Sequence, residues 1–267
     1  MTQTKVRPPA VAGMFYPSDP VELKTLVSGF LSEANRHATE SPEGIKAIIA
    51  PHAGYVYSGP VAASVYRYLE EIKSQISNVV LIGPSHRVPL LGLATSSADY
   101  FRTPLGDIPI NKTMTQQFGQ LPFVTELDEA HNMEHSLEVH LPFLQLTLGE
   151  FQLTPIVAGD ATAEQVKQLI DLALSNKNTL LVISSDLSHY HDYNTAQMLD
   201  RDTCNAIESL SVNELDSQHA CGYVPVRGLL KYAKEHGLTA KTVDCRNSGD
   251  TAGPRNEVVG YGSYVFT

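Results

Sequence analysis

Three stretches of the chain share one pattern: a short apolar run, a turn of small or proline residues, and then a histidine. They are residues 45–52 (IKAIIAPH), 79–86 (VVLIGPSH) and 180–189 (LLVISSDLSH). Such runs, rich in valine, isoleucine and leucine and without polar alternation, are typical of strands buried on both faces of a sheet. If the three strands are parallel neighbours, their histidines meet at its carboxyl edge, where open α/β sheets build their sites. The pattern therefore predicts an α/β fold with a metal or acid–base centre at that edge.

The rest of the chain continues this alternation of strand and helix patterns. We expect a capped helix after Asp19, a hairpin insertion at 90–110, a helix at 136–148, a helix capped by Thr162 and a closing strand at 258–266. No linker or internal repeat interrupts the pattern. The sequence therefore predicts a single α/β domain over residues 1–267, with a central, mixed but mostly parallel sheet flanked by helices.

Charge and cysteine usage exclude several classes of partner. The net charge of the 267-residue chain is −10, which argues against nucleic acid or an anionic membrane surface as the main partner. The three cysteines are widely spaced and form no CxxC motif, as is typical of a reduced compartment. The first residues lack the apolar core of a signal peptide, and no apolar stretch approaches the ~20 residues that span a bilayer. We expect a cytoplasmic protein.

His52 and His86 occupy equivalent positions after two of the predicted strands. Neutral imidazole is a common ligand of iron, copper and zinc, and ligands at strand ends are held rigidly. The alternative is that each is an ordinary hydrogen-bonded histidine.

The third run ends in SSDLSHYH, which contains Asp186, His189 and His191. A carboxylate three residues before an imidazole can orient the ring and raise its basicity. Either histidine could then be a metal ligand or a base. The alternative is that Asp186 caps a turn or a helix.

A further group of polar residues lies in EHSLEVH, residues 134–140. On a helix, His135 and Glu138 would share a face, whereas His140 would point elsewhere. The segment is not the HExxH motif of metalloproteases. The alternative is a solvated polar face.

Cys221, in ACGYVP, precedes a predicted helix that begins near Pro225. A helix amino terminus favours the thiolate, which could complete a metal site with two histidines. We expect Cys204 to be structural, and we expect no functional role for Cys245, which lies in the strand-like stretch TAKTVDC. The chain has no GxSxG, Walker or GxGxxG motif, so a serine hydrolase and a nucleotide cofactor are not indicated.

Taken together, several long motifs in order along almost the whole chain resemble the Memo family (mediator of cell motility; AmmeMemoRadiSam system protein B in prokaryotes). The motifs are AVAGMFYP, IIAPHAGYVYSG, LIGPSH, DYFRTPLGD, EHSLEVHLPF, ISSDLSHY and ACGYVPVRGLL. The resemblance implies a fold similar to that of class III extradiol ring-cleaving dioxygenases, which are non-haem iron enzymes.

The resemblance also implies roles for individual residues. His52 and His86 match the two histidine ligands of the dioxygenases, and Cys221 matches the family cysteine that replaces their glutamate. His189 matches the acid–base histidine, with Asp186 beside it. We expect the cleft to be lined by a further set: Tyr55, His135, Glu138, His140 and Tyr190.

Two functions of different classes follow. The first is a metal-dependent redox protein that binds one iron or copper ion, or zinc, and acts on a small molecule or peptide. A thiolate in place of a carboxylate makes the site softer and places an oxidisable sulfur at the metal, so ring cleavage does not follow from the fold. The second is a non-catalytic module that binds a peptide or small ligand and acts with a radical-SAM partner system. A third hypothesis is a zinc-dependent hydrolase. It is less favoured, because the sequence has no second carboxylate ligand motif.

Overall fold

The three apolar runs form neighbouring strands at the centre of a large sheet. The computed structural model describes residues 4–36 and 42–267. The strands of these residues are β1 (Val6–Arg7), β2 (Ala47–Ala50), β3 (Asn78–Pro84), β4 (Leu93–Thr95), β5 (Tyr100–Thr103), β6 (Gly106–Pro109), β7 (Val124–Glu126), β8 (Gln152–Ala158), β9 (Thr179–Ser184), β10 (His189–His191), β11 (Ala240–Asn247) and β12 (Val258–Phe266).

Helices cover both faces of this sheet. They are α1 (Pro20–Arg36), α2 (Tyr55–Tyr66), α3 (Leu69–Ile72), α4 (Lys112–Phe118), α5 (Asp128–Asn132), α6 (Leu141–Leu148), α7 (Ala163–Leu174), α8 (Tyr193–Glu208), α9 (Tyr223–His236) and α10 (Ser248–Thr251), with 3₁₀ turns at Lys73–Gln75, Glu138–His140 and Val212–Glu214. None of the helices in the described ranges is long and apolar enough to cross a membrane.

The larger sheet has the strand order β10-β12-β2-β9-β3-β8-β4-β7, and β11 also pairs with β12. The pairs β2–β9, β9–β3 and β3–β8 are parallel, whereas β12 runs antiparallel to both β2 and β11. The predicted mixed α/β sheet, with its histidine-terminated strands side by side, is therefore confirmed. A smaller sheet has the order β1-β5-β6.

The central strands lack polar alternation because both of their faces are buried. Ile48 packs into the hydrophobic cluster beneath α1, α2 and α6, and its neighbour Ile49 packs into the cluster beneath α4, α7, α8 and α9. Val79 and Val80 divide between the two clusters in the same way. Strands covered by helices on both sides favour this composition.

Two local predictions need correction. The region 90–110 is only partly a hairpin insertion: β5 and β6 form the hairpin, but β4 joins the main sheet between β8 and β7. The helix predicted at 136–148 begins only at Leu141, where Pro142 suits the first turn. Before it, Ser136 Oγ donates to the Pro84 carbonyl and Glu138 bonds to the N-terminal segment, so the chain follows a 3₁₀ turn instead.

The predicted helix starts at Asp19 and Thr162 are confirmed. Asp19 Oδ1 accepts hydrogen bonds from the amides of Val21 and Glu22. Thr162 and Gln165 form a reciprocal capping box at the start of α7. Local sequence signals therefore set both helix starts.

Candidate metal centre

Three histidines converge at the carboxyl edge of the central sheet. His52 follows β2, His86 follows β3, and His135 comes from the segment between α5 and the 3₁₀ turn. One ring nitrogen of each can be chosen so that all lie within 4.8 Å of one another, close enough to share a metal ion. The His86 and His135 rings stack with centroids 4.6 Å apart, and the His52 ring stands edge-on to His86 at 5.2 Å. The two strand-end histidines thus meet as the sequence predicts.

The orientation of His52 is set by a serine at the end of β9. Ser184 Oγ donates to the Ser136 carbonyl at 2.6 Å, and it also lies 2.6 Å from His52 Nδ1. Because its single proton is already used, Ser184 accepts a hydrogen bond from the Nδ1–H of His52. The lone pair of His52 therefore lies on Nε2, the form that a metal ion requires.

His86 is oriented by a buried carboxylate. Glu134 Oε1 lies 2.8 Å from His86 Nδ1, and Oε2 accepts from the His86 backbone amide at 2.6 Å. Nδ1–H therefore donates to Glu134, which leaves the Nε2 lone pair free. A carboxylate behind an imidazole ligand is a frequent arrangement in metal sites, because it fixes the tautomer and raises the basicity of the ligand.

The third ring, His135, has a nitrogen without a hydrogen-bond partner. Its Nδ1 is buried and makes no hydrogen bond in the described part of the chain, although it lies 3.4 Å from Glu134 Oε1. Burial lowers the pKa of His135 to about 4, and burial together with the neighbouring imidazoles lowers the pKa of His52 well below its usual range. Both rings are therefore neutral at neutral pH, as ligation requires.

Cys221 lies against His52. Its Sγ is 3.3 Å from His52 Nε2 and accepts a hydrogen bond from the Asp186 amide at 3.4 Å. Gly222 allows this approach, because a Cβ there would lie 2.5 Å from the Ser184 carbonyl oxygen. Burial, and then the charge of Asp186, raises the pKa of the Cys221 thiol, which reverses the expectation that the helix terminus favours a thiolate. A cation beside the sulfur would counter both effects.

Asp186 does not orient His189. Its Oδ1 accepts from the backbone amide of His52 at 2.7 Å, and burial raises its pKa to about 7. His189 instead donates from Nδ1 to the Leu187 carbonyl at 2.8 Å, which leaves its Nε2 lone pair free. Burial lowers the pKa of His189, so the ring is neutral and can accept a proton at Nε2. The predicted pairing of Asp186 with His189 is therefore replaced by a backbone contact.

A cleft of about 710 Å³ opens beside these residues. Its exposed aromatic wall includes Tyr190, which is 74 % exposed and has a φ of 61°, a left-handed conformation that is uncommon for a bulky residue. His52 is buried, whereas 29 % of the His86 side chain is exposed, so the cluster is open on one side. The residues that line the cleft are Phe15, His52, Ala53, Gly54, Tyr57, His86, His135, Asp186, His189, Tyr190, Ser217, Cys221, Ser248, Gly253, Pro254, Glu257, Val259 and Tyr261.

Three residues expected in the cleft lie in the core instead. The hydroxyl of Tyr55 donates to the Val139 carbonyl, and His140 Nδ1 lies 2.8 Å from the Tyr66 hydroxyl. Glu138 is fully buried and pairs with Arg7. None of the three lines the cleft, and Glu138 and His140, which stand in the 3₁₀ turn, do not form a solvated helix face.

Two residues that orient the imidazoles of His52 and His86 cannot be identified from the motifs alone. Glu134 stands in the EHSLEVH motif, but nothing in its spacing links it to His86, which lies 48 residues earlier in the chain. Ser184 pairs in register with Ala50, two residues before His52, so only the strand pairing shows that its hydroxyl can reach that ring.

Comparison with known proteins agrees with these motifs. The model of the family described as Memo-like protein matches residues 7–265. A MEMO1 family protein of Aquifex aeolicus is 37 % identical over 98 % of this chain and 99 % of its own length. A second, from Thermoplasma acidophilum, is 36 % identical over 97 % of this chain and 98 % of its own.

A solved structure shares the fold at low sequence identity. The crystal structure of the uncharacterized protein JW3007 from Escherichia coli K12 has a TM-score of 0.53, at 13 % identity, and the match covers 83 % of this chain and 99 % of that one. The family model and the relatives, which span nearly the whole sequence, identify the chain as a member of the Memo family.

Proposed function

We propose that this protein is a metal-dependent redox protein that holds one iron or copper ion between His52, His86 and Cys221. The observation that carries the proposal is that His52 and His86, each with a fixed tautomer, lie close together at one open-sided cleft, where the Cys221 thiol contacts His52. The third imidazole, His135, lies close enough to serve as an additional nitrogen donor.

The distance between one pair of donor atoms fits such an ion. Metal–sulfur and metal–nitrogen bonds of about 2.3 and 2.0–2.1 Å place neighbouring ligand atoms about 3.1–3.6 Å apart. Cys221 Sγ and His52 Nε2 are separated by 3.3 Å. The spacing of these two atoms is therefore close to that of two ligands on one ion.

The donor set favours a soft or borderline metal. Two imidazoles and one thiolate suit iron, copper or zinc and disfavour magnesium or calcium. Iron or copper in this site would supply one-electron chemistry on oxygen or on a bound substrate. The resemblance to class III extradiol dioxygenases supports the redox reading, and the sulfur ligand favours chemistry other than ring cleavage.

His189 would move a proton in this scheme. Its Nδ1–H is held by the Leu187 carbonyl, and its neutral Nε2 can accept a proton from a small molecule or peptide in the cleft. Asp186 contributes indirectly, because its carboxylate holds the backbone of His52 in place.

The experiment is anaerobic purification with elemental analysis. We expect near-stoichiometric iron or copper in the wild type, and less metal in Cys221→Ser and in the double variant His52→Ala/His86→Ala. Cys204→Ser is the matched control, because that cysteine lies outside the cleft. Full metal occupancy in the double variant would contradict the proposal.

The aromatic wall supports a second candidate function, a module that binds a peptide or small ligand as part of a radical-SAM modification system. Phe15, Tyr57, Tyr190 and Tyr261 present rings to the cleft without any need for a metal. Ligand binding that survives both chelation and Cys221→Ser would favour this function over the first. Loss of binding under both conditions would count against it.

A further inference from the structure

Another cavity is lined by residues of α1, α2 and β11, away from the candidate metal centre. Its volume is about 670 Å³, and it shares no lining residue with the cleft. Part of its wall is apolar and is formed by Phe30, Ala34, Pro60 and Val243. Gly59 leaves the space that the ring of Phe30 occupies, because a Cβ there would lie 2.5 Å from that ring.

The charged part of the wall contains one closed ion pair. Arg246 donates from Nε to Oδ1 of Asp244 at 3.0 Å and from Nη2 to Oδ2 at 2.5 Å. Ser64 Oγ also donates to Oδ2 of Asp244, at 2.7 Å. A guanidinium and a carboxylate joined by two parallel hydrogen bonds neutralise each other. Asp244 is therefore already satisfied by Arg246 and Ser64.

Arg67, which directly follows α2, lines the same cavity without such a partner. Its side chain belongs to a residue that is only 7 % exposed. The guanidinium carbon lies 3.9 Å from the centroid of the Tyr68 ring. Across residues 4–36 and 42–267, no group accepts a hydrogen bond from this guanidinium or forms an ion pair with it.

The contact with Tyr68 satisfies only part of what a buried guanidinium needs. A ring attracts the positive charge, but it does not provide the oxygen lone pairs that the five N–H donors require. Burial of a charge is unfavourable unless it is paired and hydrogen-bonded. Because Arg67 lines a cavity with room for a small molecule, an acceptor can reach it there.

We propose that this cavity binds a small organic carboxylate, a monoanion with an aromatic or aliphatic body. The planar fork of Arg67 suits a carboxylate, which accepts two parallel hydrogen bonds. The apolar body would pack against Phe30, Pro60 and Val243. A monoanion fits better than a phosphate dianion, because the cavity offers one unpaired cation and the carboxylates of Glu33 and Asp244 also line it.

The test is titration of 4-fluorobenzoate with the full-length protein, followed by fluorine NMR. A chelator is present throughout, so that the probe cannot bind through a metal ion in the cleft. We expect saturable binding by the wild type, and affinity lower by about 10- to 100-fold in Arg67→Gln, the usual range for lost hydrogen bonds to a charged group. The matched control is Arg201→Gln, which changes an exposed arginine on α8 and should bind the probe like the wild type.

Two further comparisons keep the proposal testable if Arg67→Gln does not fold. The neutral isostere 4-fluorobenzamide should bind the wild type at least about 10-fold more weakly than the carboxylate, since it has no charge for Arg67. Ala34→Phe keeps every charge but fills the cavity, so it should abolish binding. The proposal is overturned if the wild type shows no saturable binding, if the amide binds as tightly as the carboxylate, or if either folded cavity variant retains wild-type affinity.

Discussion

At the scale of the residue, the candidate centre depends on the hydrogen-bond partners that orient His52 and His86. Ser184 holds His52 and Glu134 holds His86, each through Nδ1, so that both Nε2 atoms are left for an ion. These two contacts differ in kind, because one partner is a neutral hydroxyl and the other is a carboxylate. The hydroxyl can be removed with little change in volume or charge, which makes Ser184 the more informative position to change.

We predict that Ser184→Ala weakens metal binding about 10- to 100-fold, the usual effect of removing the partner of a metal-bound histidine. The reason is that His52 Nδ1–H loses its acceptor, so its tautomer and ring orientation are no longer fixed. Metal affinity would be measured by competition with a chromogenic chelator.

The matched control is Ser263→Ala, because Ser263 is also fully buried but its hydroxyl has no partner among the described residues. That variant should bind metal like the wild type. If Ser184→Ala binds metal as tightly as the wild type, and circular dichroism shows that both proteins are folded, then the hydrogen bond to Ser184 does not fix the tautomer and orientation of His52.

At the scale of the element, the N-terminal segment is tied to the core through Glu138. The carboxylate pairs with Arg7, accepts from the amides of Ala10 and Val11 at 2.7 and 3.0 Å, and accepts from the Tyr16 hydroxyl at 2.5 Å. The same segment reaches the candidate centre, since the Phe15 ring lies 4.8 Å from that of His135. Glu138, expected in the cleft, therefore anchors one of its walls.

We predict that Glu138→Gln lowers the free energy of unfolding by about 3 kcal/mol, because it leaves the guanidinium of Arg7 buried without its counter-charge. The amides of Ala10 and Val11 should also exchange their hydrogens faster. Urea unfolding and hydrogen exchange measure the two effects.

Glu150→Gln serves as the control, since Glu150 is exposed and its change should stay within about 0.5 kcal/mol of wild type. Unchanged protection at Ala10 and Val11 in Glu138→Gln would contradict the anchoring role.

At the scale of the whole molecule, buried titratable groups make stability depend on pH in opposing directions. Burial lowers the pKa of His131 to about 4 and that of His140 to about 3. Burial raises the pKa of Asp186 to about 7 and that of Asp200 to about 6. Because the pKa values of the two histidines are lowered, they make the folded protein less stable as the pH falls below about 6.5. The two carboxyl groups, whose pKa values are raised, make it more stable as they become protonated. Single variants are therefore needed to resolve each contribution.

We predict that His140→Gln lowers the slope of the free energy of unfolding against pH by the contribution of one proton. In the wild type His140 stays neutral when folded but takes up a proton when unfolded below pH 6.5, so its contribution is complete above about pH 6.5 and is lost towards pH 3. The slope is about 1.4 kcal/mol per pH unit, or about 2 kcal/mol between pH 6.5 and pH 5.

Urea unfolding at several pH values in this window gives the slope for each protein. His236→Gln, which alters an exposed imidazole, is the matched control. The assignment fails if the two variants show the same slope.

The sequence by itself determined the central sheet, its histidine-bearing edge and the helix starts, because these depend on local patterns. A non-alternating apolar run predicts a strand covered on both faces, and Asp19 and Thr162 accept hydrogen bonds from amides only two or three residues away. The resemblance carried by the motifs along the chain also identified the family.

Only the tertiary structure decided which polar groups serve the centre. Glu134 and Glu138 are four residues apart, yet one holds His86 and the other holds Arg7, because the chain from Glu134 to Leu137 is not helical and the two side chains do not share a helix face. Strand register brings Ser184 to its partner, and the close approach at Gly222 brings Cys221 to its partner. Neither of these features produces a periodic pattern in the sequence. Hydrogen bonds between distant residues depend on how elements pack, whereas strand and helix signals depend on neighbours along the chain.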